Sequence, residues 1–131
     1  MPINSKNKGR QGEQELARVL NELLGIHARR GQQYCGLEGN ADVVLQKQIG
    51  NDNVDIPGLH VECKRVECLS LYEALSQAQR DAREGEIPVV CHRRNKKPWV
   101  IIFELDKLKD VAKWVSSLED AEDGSGREVN S

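Results

Sequence analysis

Apolar residues recur along this chain first with a helical period and then with a strand period. Over residues 11–24, Leu16, Val19, Leu20, Leu23 and Leu24 fall on one helical face, and Gly25 closes the run. Residues 26–30 read as a short strand, followed by a loop of Gly, Gln and Asn over 31–40. A second strand is expected over 41–46, with Asp42 near its start. The polar turn Gly50-Asn51-Asp52-Asn53 and Asp55-Ile56-Pro57-Gly58 then lead into a third strand, His60-Val61-Glu62-Cys63-Lys64-Arg65. Two strands joined this way predict an antiparallel pair, which brings Asp42 close to Glu62 and Lys64.

Ser70 is placed to cap a helix to about Arg83, with Leu71, Leu75, Ala78 and Ala82 inward and Gly85 beyond its end. Two more strands follow, over 87–92 and 99–104. The second is almost wholly apolar, which predicts a strand covered on both faces. Asp106 can cap a last helix to about Leu118, with Leu108, Val111, Ala112, Val115 and Leu118 inward. The order α-β-β-β-α-β-β-α is that of one α/β domain, a mixed sheet with helices over it.

Three acids break this patterning. Glu13 lies three residues before Leu16 and seven before Leu20, on the apolar side of the first helix, whereas Glu15 and Glu22 point elsewhere. Taken alone it is either a rim residue or a deliberate inward carboxylate. In the 60–65 strand Val61 and Cys63 share one face, and His60, Glu62 and Lys64 share the other. Buried charge is costly unless paired or bound to metal. Glu13, Asp42 and Glu62 together suit a hard cation such as Mg²⁺, which takes carboxylate oxygens, water and phosphate. Lys64 beside them could steer an attacking water and offset phosphate charge.

Composition narrows the setting. At 131 residues the chain is expected to be one domain over 10–118, with a flexible stretch at 1–9 and an acidic, disordered tail at 119–131. The tail holds five acids and one base, so the net charge of −2 conceals a body of about +2. Bases cluster at Lys6/Lys8/Arg10, Arg29/Arg30, Lys64/Arg65 and Arg93/Arg94/Lys96/Lys97, which suggests a polyanion partner. Gln32 and Gln33 follow Arg29 and Arg30 in a loop that either contacts phosphates or merely connects, and Gln77 and Gln79 flank the inward stripe of the second helix. Cys35, Cys63, Cys68 and Cys91 form no Cys-x-x-Cys pair, and the three histidines fall at no zinc-site spacing. No apolar run approaches the ~20 residues that cross a bilayer. A cytoplasmic protein without a secretory leader is expected.

Asp42 followed by Glu62-Cys63-Lys64 resembles the signature of the PD-(D/E)xK nucleases, whose fold is restriction-endonuclease-like. Lys8-Gly9-Arg10-Gln11-Gly12-Glu13-Gln14-Glu15-Leu16 resembles the opening helix of archaeal Holliday junction resolvases and their phage relatives. The resemblance runs from about Lys8 to Gln79. It implies a metal-dependent endonuclease for DNA recombination, acting on four-way junctions as a homodimer, with Mg²⁺ as cofactor and Mn²⁺ able to substitute; a nuclease for other branched DNA or of restriction type, or a non-catalytic DNA-binding protein, is the alternative. It further implies Asp42, Glu62, the main-chain carbonyl of Cys63 and Glu13 as metal ligands, and Lys64 as the catalytic lysine. Lys8, Arg10, Arg29, Arg30, Gln32, Arg65, Gln79, Arg93 and Arg94 are then the candidate DNA contacts. A phage or prophage protein acting in the host cytoplasm is the setting that this likeness suggests. Ala41 stands where the signature has proline, and the Asp42–Glu62 gap is longer than in the archaeal enzymes. That gap leaves Asp55 as a rival for the aspartate role. Asp42 is favoured because it opens an apolar strand, whereas Asp55 precedes Pro57-Gly58.

Overall fold

The computed structural model describes residues 5–31 and 41–122. Helix α1 (Ser5–Leu24) is followed by strands β1 (Arg29–Arg30), β2 (Val43–Val44), β3 (Gln46–Ile49), β4 (Asp52–Asp55) and β5 (Leu59–Arg65). Helix α2 (Leu71–Asp81), strands β6 (Ile87–Arg93) and β7 (Val100–Ile102), a 3-10 turn (Leu105–Lys107) and helix α3 (Leu108–Glu122) complete the chain. Five strands form one sheet in the order β1-β2-β5-β6-β7, and β3 and β4 make a separate hairpin. Among the described residues only the β5–β6 pairing is parallel, with α2 as its crossover, so the sheet is mixed.

The register shows why β5 sits at the centre. Val61 pairs with Val43 on one side and Val89 on the other. On that face Val61, Val89 and Cys91 join Leu16 and Ala17 of α1 and Trp114 of α3 in the main core. On the other face Val90, the neighbour of Glu62, packs against Ala74, Leu75 and Ala78 of α2. The small residues predicted on α2 allow that approach. The strand is therefore covered twice: Val61 is 1% exposed and Glu62 2%.

Several expectations change. Helix α1 begins at Ser5, so residues 5–9, expected to be flexible, are helical. Strand 26–30 shrinks to β1, although Ile26 and Ala28 are buried. The 41–46 strand breaks at Leu45, and the expected turn is the tip of the β3–β4 hairpin, with Gly50 at φ 63°. Ser70 occupies the N-cap position of α2 without a side-chain capping bond. Strand β7 is an edge strand with Val100 and Ile101 about half exposed, because among the described residues it pairs with β6 alone. The last helix starts after the 3-10 turn rather than at Asp106, and it runs to Glu122. Its buried anchor is Trp114, which lies outside the predicted stripe, and Leu108 is 54% exposed. Trp114 Nε1–H donates to the Pro57 carbonyl at 2.8 Å and lies against Gly58. A Cβ on Gly58 would come within 2.8 Å of the indole, and φ of 108° there also favours glycine. Leu23, expected inward on α1, is 73% exposed.

Candidate active site

Asp42 sits where β2 meets β5. Its N–H donates to the Val61 carbonyl at 3.1 Å, and its Oδ2 accepts from the Cys63 N–H at 2.9 Å. These two bonds fix the carboxyl beside Glu62. Burial, followed by the Glu62 charge, pushes the Asp42 pKa from 3.8 up to about 7, even though the Cys63 N–H favours its ionised form. The charge of Glu13 acts in the same upward direction.

Glu13 arrives from α1, and Gly12 makes that possible. A Cβ at Gly12 would lie 2.6 Å from the Cβ of Arg65, so only glycine lets the helix rest this closely on β5. Burial raises the Glu13 pKa, although Arg30 opposes the shift: its Nε donates to Glu13 Oε1 at 2.7 Å. Glu13 is the inward carboxylate of the two readings open from the sequence, and Arg30 is its partner.

His60 and Glu62 are two residues apart on one strand face, and both are buried. His60 Nε2 lies 2.6 Å from Glu62 Oε2, and its Nδ1 lies 3.7 Å from Glu86 Oε1. Asp81 of α2 brings a carboxylate oxygen within 4.8 Å of the His60 and Glu62 ligand atoms. Burial disfavours a charged imidazole. The hydrogen bond to Glu62 and the charges of Glu62, Glu86 and Asp81 outweigh it, and the His60 pKa stands above the ordinary histidine value. Sequence reasoning put His60 on this face but gave it no role. The signal available was the i, i+2 spacing to Glu62; the contributions of Asp81 and Glu86 are tertiary.

Lys64, next on the same face, donates from Nζ to Gln77 Oε1 of α2 at 3.0 Å. It lines an open cleft of about 570 Å³ together with Val66, Ser70, Tyr72, Gln77 and Arg80. Tyr72 and Arg80 are exposed there, and neither was singled out from the sequence. Gln77, rather than Gln79, meets the lysine; Gln79 lines a separate groove between α2 and the segment after β7.

The candidate DNA contacts divide. Arg10, Arg29 and Arg94 are exposed, and Arg29 Nε donates to Gln46 Oε1 at 3.1 Å. Arg93 Nη1 donates to Glu15 Oε1 at 2.7 Å, and Arg65 reaches the same oxygen at 3.7 Å while donating to Asn95. Trp99 Nε1–H donates to that oxygen as well. The Lys8 side chain and Gln32 lie outside the described residues. Asp55, the rival aspartate, is exposed on the hairpin and accepts from Gln46 Nε2 at 2.7 Å, whereas Asp42 is the aspartate that meets Glu62. Cys63, Cys68 and Cys91 form no disulfide, and burial pushes the Cys91 thiol up to about 12.

Carboxyls brought this close together fit a divalent ion. Asp42, Glu62 and Glu13 offer oxygens, as a hard cation requires. His60, Glu62 and Asp81 form a mixed set that would suit a borderline ion such as Zn²⁺. Its nitrogen, however, is already hydrogen-bonded to Glu62, which favours the oxygen set. Among the described residues no helix is long and apolar enough to cross a membrane. No curated protein matches the chain. The model of one family, described as phage putative PDDEXK endonuclease, matches residues 4–122.

Proposed function

The chain belongs to the phage PDDEXK endonuclease family, and from that premise we propose a Mg²⁺-dependent endonuclease that nicks branched DNA, four-way junctions first. A nuclease of this family acts on phosphodiester bonds; the metal, the junction preference and the residue roles are our reading. The observation that carries it is the buried Asp42–Glu62 carboxyl pair, with Glu13 across from it and Lys64 two residues further along β5.

In this reading Asp42, Glu62, Glu13 and the Cys63 carbonyl hold the cation, with Mn²⁺ able to substitute. The bound cation supplies Lewis-acid stabilisation of the charge that develops on the phosphodiester. Asp42 is held by the Cys63 and Val61 main chain, so its carboxyl needs little reorganisation to bind. Lys64, steadied by Gln77, orients the attacking water and offsets phosphate charge. Tyr72 and Arg80 at the lip of the same cleft join Arg10, Arg29 and Arg94 as exposed groups for the DNA backbone. Backbone contacts fix position without reading sequence, which suits recognition by shape.

The junction preference is supported by the likeness of residues 8–16 to the resolvase opening helix. A homodimer would place two such sites on symmetry-related strands. Strand β7, with Val100 and Ile101 exposed and Ile102 lining a groove with Leu71 and Leu105, is the edge we assign to that contact.

The test is cleavage of a labelled synthetic four-way junction beside matched linear duplex and flap, in Mg²⁺ and in EDTA. Paired symmetric nicks in the junction, dependent on Mg²⁺, are the expected result. Equal cutting of all three substrates would keep the nuclease and remove the resolvase. Tight binding without nicks in any divalent ion would remove the catalytic reading.

A further inference from the structure

We infer that His60 is a positioning residue for Glu62: it occupies one carboxylate oxygen from behind, so that Glu62 offers its other oxygen to a divalent cation. This rests on the reading that Glu62 is a metal ligand.

The geometry is specific. The imidazole is 1% exposed, and its Nε2 lies 2.6 Å from Glu62 Oε2, a short hydrogen bond. With Oε2 engaged by His60, Glu62 is biased toward binding an ion through its other oxygen. The ring cannot easily turn away. Its Nδ1 faces Glu86 at 3.7 Å, and Asp81 of α2 closes the group. His60 is thus surrounded by carboxylates from β5, from α2 and from the segment leading into β6. The arrangement also accounts for a buried histidine on a face otherwise given to chemistry. A purely structural residue here would be apolar, like Val90 on the neighbouring strand. Groups that hold a metal ligand from outside the coordination sphere typically change metal affinity or activity by about 10- to 100-fold when removed.

The experiment compares wild type, His60→Phe and His60→Gln by titrating Mn²⁺ into the metal-free protein with detection by electron paramagnetic resonance. In parallel, the Mg²⁺ concentration for half-maximal nicking is measured. Phe keeps a ring without a donor, whereas Gln restores an N–H. The expected result for His60→Phe is a half-saturating concentration raised about 10- to 100-fold, with the plateau rate recovered at high metal. His60→Gln should recover most of the affinity. A merely structural role would lower the plateau and leave half-saturation in place, which would overturn the inference. Loss in both variants that no metal concentration restores would make His60 a ligand, and would also overturn it. If wild type binds no Mn²⁺, the reading of Glu62 as a ligand falls, and this inference with it. If wild type binds and His60→Phe binds equally well, only this inference falls. Should His60→Phe not fold, His60→Leu carries the same expectations.

Discussion

Two charged clusters flank β5, and they are built on opposite principles. Around Glu15, one carboxylate oxygen receives Arg93 and the Trp99 indole, with Arg65 close by. Acid is outnumbered there by donors, and the cluster ties α1 to β5, β6 and the approach to β7. Around Glu62 the ratio reverses. Asp42, Glu62 and Glu13 crowd together; His60 bonds Glu62 and Arg30 bonds Glu13. The first arrangement ties elements together, and the second gathers like charge that a cation from outside would offset. The comparison also gives Arg65 and Arg93, expected as phosphate contacts from the sequence, an acidic partner within the fold.

The largest way to break this contrast is to exchange one acid in each cluster. Glu62→Gln should abolish nicking while DNA binding survives, and Lys64→Met should lower the rate by about 10²- to 10⁴-fold. Unchanged rates would show that the crowded cluster is not the site. Glu15→Gln should do the reverse: stability falls by roughly 1–3 kcal/mol as Arg93 and Trp99 lose their charged acceptor, and the metal concentration for half-maximal nicking stays put. Denaturant midpoints measured beside metal titrations separate the two outcomes. A metal shift in Glu15→Gln would erase the distinction.

Acidity offers a smaller and sharper test. Asp42 has its pKa raised in the folded chain, from 3.8 to about 7. Such a group favours the fold fully below its unfolded value, and that contribution is lost as pH rises through the folded one. Glu13 and His60, also raised, act in the same sense. The melting temperature in EDTA should therefore fall between pH 5 and pH 8, and Mg²⁺ should remove most of the fall. A metal-free melting temperature that rises over this range would contradict the crowding of these acids.

Much of this was legible in the sequence, for identifiable reasons. Strict alternation located β5 and placed Glu62 and Lys64 on one face. The Leu75–Ala78 stripe located α2, and Glu13 stood out because it interrupts an apolar row. The β3–β4 hairpin escaped because Gln46–Ile49 and Asp52–Asp55 are mostly polar, and their ladder depends on pairing rather than on propensity. Trp114 escaped because the α3 wheel was phased on aliphatic residues, and a single indole bonded to Pro57 sets the true rotation. His60 escaped because histidines were tested for zinc spacing, whereas its partners come from three parts of the chain. The Glu15 partner of Arg65 and Arg93 was not legible because a basic cluster in sequence carries no sign of the acid that folding brings to it.

The pairing of β2 with β5 has a consequence for motion. Those strands share the single register pair Val43–Val61, whereas β5 and β6 share seven. Local opening free energy follows such laddering and packing, so the β1–β2 edge is expected to open more readily than β6, with the Asp42 bonds to Val61 and Cys63 as its remaining hold. Asp42 and Arg30 ride on or beside that edge, whereas Glu62, His60 and Lys64 belong to the firm half. The acids thus face each other across a seam, and an ion bridging Asp42 and Glu62 would act as its clasp.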